Sequence, residues 1–474
     1  MNLKTATHNY LFLISAQMFA LLLNIVISLI FPKVMSMEDF GFWQLFLFFC
    51  SFAGFFHLGL NDGVYLRYGG KKYKIINKEI LKGQFVMLLG LQLLFFIVLN
   101  LYLFFFEADS AKYHFVVLFS LVYMFVSNLA SYSTSLLQST NRLREFSYTT
   151  MLASVLLVAF FTVLLVLGCR SFGTFILFYI ITYSLVLIPS FYLIREVLSV
   201  RIHFKNKVVY FKEFRKNISA GSKLMISSVA GMLIVGCGRF IIERKWGIVE
   251  FGKVSLAITV TTLFIFFIRQ VGIVIFPLLK NGKYDMQKFF YIGSLRFLNV
   301  TLYGFLLFYP AVFWLVHLWL PAYASNLLYF VALLPVCVYE GKMQILLSTY
   351  MKVLRKERLL MKVNIACMLL SLILCLVGAA LDSVLFIMIS MTFGIALRGY
   401  LMERALEKAF LIKVFWSGAW DFILSVTFLC AFIHLLPAYA FILYLSVYIA
   451  FLFVNWKNLS DFYMTLKRFK TAAI

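Results

Sequence analysis

Gln92-Leu93-Leu94-Phe95-Phe96-Ile97-Val98-Leu99-Asn100-Leu101-Tyr102-Leu103-Phe104-Phe105-Phe106 is apolar on all sides of a helix. A strand in a membrane barrel alternates apolar and polar residues over roughly ten positions, and this stretch does not. In hydrocarbon a helix satisfies its own backbone hydrogen bonds, so the reading is a helix surrounded by lipid. Runs of similar character recur from Tyr10 to Trp456, each roughly 17 to 25 residues long, enough to cross roughly 30 Å of hydrocarbon.

Composition agrees. Of 474 residues, 63% are hydrophobic and 13% charged, too little polar surface to cover soluble domains. The expected spans are 10 to 31, 42 to 60, 83 to 106, 114 to 138, 148 to 168, 174 to 194, 218 to 242, 253 to 279, 289 to 317, 326 to 350, 363 to 380, 384 to 402, 416 to 436 and 441 to 456. The fold class is therefore all-α, a polytopic membrane protein of about 14 helices. Tyr10–Phe31 exceeds a signal-peptide core and runs into Pro32 without a small-residue cleavage site, so it is expected to be retained.

The net charge of +24 follows topology. Basic residues gather after every second span: Arg67, Lys71, Lys72, Lys74, Lys78 and Lys82; then Arg195 to Lys216; then Lys352, Arg355, Lys356, Arg358 and Lys362. About 31 of the 43 cations lie on this side and about six on the other, which places both termini in the cytoplasm. Attraction to anionic headgroups accounts for the basic loops, and no nucleic acid partner is expected. The seven cysteines lie in or beside apolar runs without metal spacing. No metal, cofactor, hydrolase triad or phosphate-binding glycine loop is expected, and catalysis is not supported.

The loop 195–217 divides the chain near its middle and is the candidate inter-lobe linker, with lobes at 1–194 and 218–402 and an additional helix pair and tail at 403–474. Weak internal repetition supports two lobes. Met37-Glu38-Asp39-Phe40-Gly41 and Val249-Glu250-Phe251-Gly252 stand at an offset of 211 residues, and the same offset carries Leu143-Arg144 onto Leu354-Arg355. Two tandem six-helix lobes would be related by a pseudo-twofold axis along the membrane normal, with a cavity between them.

Charges within spans are expensive and mark candidate sites. Arg269, beside Gln270, lies about eleven residues from the cytoplasmic end of its span, roughly 16 Å deep. It faces either a wet lumen or partners among helix carbonyls and carboxylates. Arg296 and Lys342 lie roughly 12 Å deep, within reach of snorkelling. Glu340 is a candidate for a coupling proton or cation, and an ion pair to Arg269 or Arg296 is the alternative. Lys223, Arg239 and Arg398 are expected as interfacial anchors. In the first lobe Gln17, Asn24, His57, Gln92 and Asn128 suit packing or a hydroxyl-rich ligand, and Asp62 sits where a helix end with a turn is expected.

Leu58-Gly59-Leu60-Asn61-Asp62-Gly63 running into Arg67-Tyr68-Gly69-Gly70, and Gly238-Arg239-Phe240-Ile241-Ile242 followed by Gly247 and Val249-Glu250-Phe251-Gly252, resemble polysaccharide transporters of the Wzx type, relatives of the MATE exporters and lipid II flippases. The resemblance implies two six-helix bundles with two further helices in the bacterial inner membrane. It implies movement of an undecaprenyl-diphosphate-linked oligosaccharide, such as an O-antigen unit, to the periplasmic leaflet. For such a substrate, the intramembrane cations and polar groups make Arg269, Arg296, Lys342, Gln270, Gln17, Asn24 and His57 the candidate lumen, with Glu340 and Asp62 as candidate coupling (H+ or Na+) or ion-pair groups. Polysaccharide polymerase machinery is a candidate partner. A MATE-like ion-coupled exporter is the alternative. The residue before Arg239 is often acidic in that family and is Gly238 here.

Overall fold

A computed structural model describes residues 21–23, 25, 27–106, 110–203, 206–280, 284–412 and 415–472; the side chains at 106, 264, 266–280, 284–286, 415–417 and 457–472 lie outside the description. The elements are helices throughout, with no strand among the described residues. We number the principal ones α1 (Met37–Ser51), α2 (Leu60–Tyr68), α3 (Lys78–Phe106), α4 (Ala111–Ser139), α5 (Leu143–Val166), α6 (Phe172–Leu193), α7 (Lys207–Lys280) and α8 (Tyr284–Leu306). There follow α9 (Tyr309–Trp319), α10 (Leu327–Leu333), α11 (Val336–Lys342), α12 (Glu357–Ala380), α13 (Val384–Phe410), α14 (Phe415–His434) and α15 (Pro437–Ala472).

Among the described residues, ten helices are long and apolar enough to cross a membrane, or eleven when the bent pair Pro321–Leu333 and Val336–Val353 is one span. The difference from fourteen has local reasons. The run α7 holds two expected spans and is interrupted at Gly247, whose φ of 85° is a left-handed conformation that favours glycine. The apolar part of α14, Gly418–His434, is short, and most of the expected first span lies outside the described residues. The chain is a multi-pass helical membrane protein.

The helices form two compact units: Met1–Ala230 with Trp246–Gly252, and Gly231–Lys245 with Lys253–Ile474. Within the first, the segment read as a linker is folded in. Lys82 donates to the carbonyl of Val200 at 2.6 Å, Asn217 to Gln84 at 2.8 Å, and Arg67 to Glu213 at 2.7 Å and Asn217 at 2.5 Å. Gly59 and Gly63, four residues apart, let this backbone come close. A Cβ on Gly63 would stand 2.0 Å from the carbonyl oxygen of Asn217, and one on Gly221 would stand 2.0 Å from that of Gly59. This is the close crossing of small residues that membrane helices use where water supplies no hydrophobic drive. The repeated glycines also meet: a Cβ on Gly41 would lie 2.4 Å from the carbonyl oxygen of Ile248, and one on Gly252 would lie 3.0 Å from the Cα of Gly41.

Repetition is clearest in the turns. Asn141 (φ 60°) and Arg355 (φ 54°) are left-handed, and each is followed by a bond back across the helix end, Arg142 N–H to Leu137 O (2.9 Å) and Lys356 N–H to Met351 O (2.8 Å). The same turn closes α5 at Gly168, with Cys169 N–H to Leu164 O (3.0 Å), and α12 at Asp382, with Ser383 N–H to Gly378 O (3.0 Å). Both pairs stand 214 residues apart, three from the register that the Leu-Arg pairs suggest.

Gly63→Ala is expected to lower the thermal stability of the purified protein by about 1–3 kcal/mol or prevent its accumulation, because backbone rather than a flexible side chain blocks the methyl group. Gly90→Ala, in α3 with nothing within 4 Å of the added carbon, serves as the control and should melt at or above wild type. Equal melting of the two variants would refute the crossing.

Candidate functional site

Two buried polar assemblies stand out, one in each unit. In the first unit the expected span 42–60 is broken. After α1 the chain makes a tight 3-10 turn over Ala53–His57, passes through left-handed Leu58 (φ 52°) and Gly59 (φ 82°), and resumes as α2. A break exposes backbone groups, and in lipid these must be met by protein. Asn128 of α4 donates to the Ala53 carbonyl at 2.9 Å and to the Gln92 side chain at 2.9 Å, and Gln92 of α3 donates to the Phe56 carbonyl at 2.9 Å. Asn61 donates to the Asn128 carbonyl at 3.1 Å. His57 is buried, and its Nδ1 accepts the Gly59 N–H at 3.0 Å, so that nitrogen is unprotonated. Asp62, in the first turn of α2, is half-buried with interactions of its own. The helix end expected at Asp62 is instead the start of a new helix that continues to Tyr68.

In the second unit, Lys342 at the end of α11 is wholly buried. Its ammonium donates to Asp421 Oδ2 of α14 and lies 2.9 Å from Glu403 Oε1 of α13. Five residues earlier on α13, Arg398 is only 4% exposed and bonds Glu340. Thus Glu340 and Lys342, two residues apart, take separate partners on the same neighbouring helix. Hydroxyl groups complete the setting. Tyr303 of α8 and Tyr339 of α11 donate to the Asp421 carbonyl at 3.1 and 3.2 Å, and Tyr339 lies 2.7 Å from the Ser425 hydroxyl. Tyr444 of α15 donates to the Tyr303 carbonyl at 2.9 Å, which ties the final helix pair to the rest of the unit.

The expected site residues are therefore distributed unevenly. Lys342 and Glu340 lie side by side, each committed to a carboxylate or guanidinium partner. Glu340 takes Arg398, not Arg269 or Arg296, and Arg398 is a buried partner instead of an interfacial anchor. Arg239, also expected at an interface, donates to Ser255 at 2.9 Å. Arg296 is half-buried on α8 and engaged in an interaction. Gln17, Asn24 and the side chains of Arg269 and Gln270 lie outside the described residues. His57 belongs to the other unit. Glu403 and Asp421 were missed, although Asp421 is a carboxylate within an apolar run, the very signal applied to Arg269.

Breaking one member of a buried ion pair strands its partner and costs about 3–5 kcal/mol, whereas replacing the whole set with neutral groups is often tolerated. Lys342→Met alone should therefore lower the melting temperature strongly in detergent. Lys342→Met with Glu403→Gln and Asp421→Asn should recover most of the loss. A single variant as stable as wild type would show that the ammonium is not what holds α11, α13 and α14 together.

No family model matches the sequence, and no curated protein does either. Solved structures do match in fold. The lipid II flippase MurJ in an inward closed conformation gives a TM-score of 0.64 at 14% identity, covering 94% of this chain and 99% of that one. An inward-facing multidrug resistance MATE family transporter of the MOP superfamily gives 0.57 at 14% identity, covering 83% and 95%. A MOP superfamily transporter from Pyrococcus furiosus gives 0.55 at 12% identity, covering 85% and 95%.

Proposed function

We propose that this protein is a flippase that carries an undecaprenyl-diphosphate-linked oligosaccharide unit, such as an O-antigen repeat of the Wzx-type pathway, from the cytoplasmic to the periplasmic leaflet of a bacterial inner membrane by alternating access. The observation that carries the reading is the breadth of the likeness to a lipid II flippase, 94% of this chain against 83% for the MATE transporter. The extra coverage suits a chain whose final helix pair, α14 and α15, is bonded into its second unit. A lipid-linked sugar presents a diphosphate, and cations at depth on α7 and α8 suit its capture. With Lys342 committed to Glu403 and Asp421, that role falls to Arg269 and Arg296. Glycan hydroxyls suit amide and imidazole groups such as Gln270, Gln17, Asn24 and His57. Both termini lie in the cytoplasm in this reading, as the loop charges require.

A MATE-like exporter of small molecules has the support of the second fold likeness. It suits a carboxylate inside the first unit's polar network, where the groups meeting at the broken helix are Asn61, Gln92 and Asn128.

Deleting the gene should cause a lipid-linked glycan to accumulate in the cytoplasmic leaflet. Restoring it with Arg269→Ala should give a correctly inserted protein that exports no surface glycan. Wild-type export by that variant would remove Arg269 from the mechanism. No accumulation in the deletion strain would sink the substrate assignment itself.

A further inference from the structure

The cluster around Lys342 is unbalanced. One ammonium meets two carboxylates, Glu403 and Asp421, all three wholly or almost wholly buried. The neighbouring pair Arg398–Glu340 is neutral as a unit, and Glu407 has its own partner in Arg404 at 3.1 Å. Among the described residues, the other groups that face the cluster are phenols: Tyr291 and Tyr303 from α8 and Tyr339 from α11. None of these supplies a second positive charge. A residual negative charge away from water is expensive, and it is relieved by binding a cation or a proton.

A second observation points to where. Asp421 is 95% removed from solvent, and while its Oδ2 binds Lys342, its Oδ1 has no hydrogen-bond partner among the described residues. Tyr291, wholly buried, likewise has an unpartnered hydroxyl. Metal ligation does not fit. Among the described residues no three His, Cys, Asp or Glu side chains converge for a metal ion, and the ammonium of Lys342 already stands between the two carboxylates.

We propose that the Lys342–Glu403–Asp421 cluster is a binding site for one exchangeable proton, held by its pair of carboxylates. One O–H bond forms on a carboxylate oxygen as one O–H bond of a hydronium ion breaks, leaving water. Lys342 then remains paired with the carboxylate that stays charged, and the set becomes neutral. The route is built into α13. Glu403 and Glu407 are four residues apart and project from the same face, about 6 Å along the axis. Glu407 is bonded to Arg404, whose side chain is 37% exposed. The ladder of carboxylates therefore leads from Asp421 towards the end of α13 that the charge asymmetry places in the cytoplasm. Because the proton site joins α14 to α11 and α13, its occupancy changes the charge at the joint between the final helix pair and the rest of the unit. Use of that proton to drive transport rests on the flippase reading. The protonation does not.

Infrared difference spectroscopy of the purified full-length protein across a pH titration tests the site without any substrate. Wild type should show the carbonyl stretch of one protonated carboxylic acid that exchanges with deuterium and disappears as the pH is raised. Asp421→Asn and Glu403→Gln should each abolish that band, since either leaves one ammonium with one carboxylate. Lys342→Met should retain it and increase it about twofold, since two carboxylates then lack a counterion. Size-exclusion profiles establish that each variant is folded. A wild type without such a band overturns the proposal even if every variant misfolds. So does a band that survives in both folded neutral variants. Failure of the glycan accumulation assay, by contrast, leaves the spectroscopic result standing and indicts the substrate alone.

Discussion

An ammonium with no access to water must find its counter-charge within the protein, and in the second unit that requirement governs how the helices meet. Lys342 ends α11 and reaches both Glu403 of α13 and Asp421 of α14. Lipid tails are as apolar as leucine, so apolar contact gives membrane helices little preference for one partner over another. A buried charge does give one, because each wrong neighbour leaves it unpaired. The tyrosine hydroxyls on the Asp421 carbonyl and on the Tyr303 carbonyl extend the same logic to α8 and α15. The last two helices are thereby held to α8 and α11 by polar bonds.

The first unit meets an equivalent demand from the backbone. Its broken helix at Ala53–Gly59 releases carbonyls to which the Asn128 and Gln92 amides then donate. Irregular backbone at membrane depth is tolerated where protein or a wet cavity covers it. Here two amide side chains from two different helices do so, and they bind one another as well. The break also sets up the glycine crossing, since left-handed Gly59 both ends the turn and begins the Gly59–Gly63 face that meets Asn217 and Gly221. One local irregularity thus organises α1, α2, α3, α4 and the start of α7.

Much of this architecture could be read from the chain before any coordinates, and the reason is physical. Hydrocarbon imposes a length and a composition on each helix one at a time, so runs such as Gln92–Phe106 announce themselves without knowledge of their neighbours. The break at Leu58-Gly59 was visible as a glycine motif but not as a kink, because the pattern of apolar residues continues through it. The Lys342 cluster was half legible. That Lys342 and Glu340 needed partners followed from the cost of intramembrane charge, but their choice of Glu403 and Arg398 depends on which faces of α11 and α13 meet, which no single helix encodes. Asp421 carried the same signal as Arg269. It was hidden by treating α14 and α15 as an appendage when their polar groups are part of the second unit's interior.

The two halves of the chain repeat their turns more faithfully than their chemistry. Left-handed residues at Asn141 and Arg355, and at Gly168 and Asp382, close equivalent helices at one spacing. A turn of this kind needs only a local backbone conformation and one bond across the helix end, so different side chains serve equally. Buried polar groups have no such freedom. Those at the broken helix of the first unit are chiefly the amides of Asn61, Gln92 and Asn128, which do not titrate, beside the single imidazole of His57. Those of the second are ammonium, guanidinium and carboxylate, whose balance alters with a single proton. A shared helical frame with such different interiors gives the second unit a response to protons that the amide network of the first cannot have.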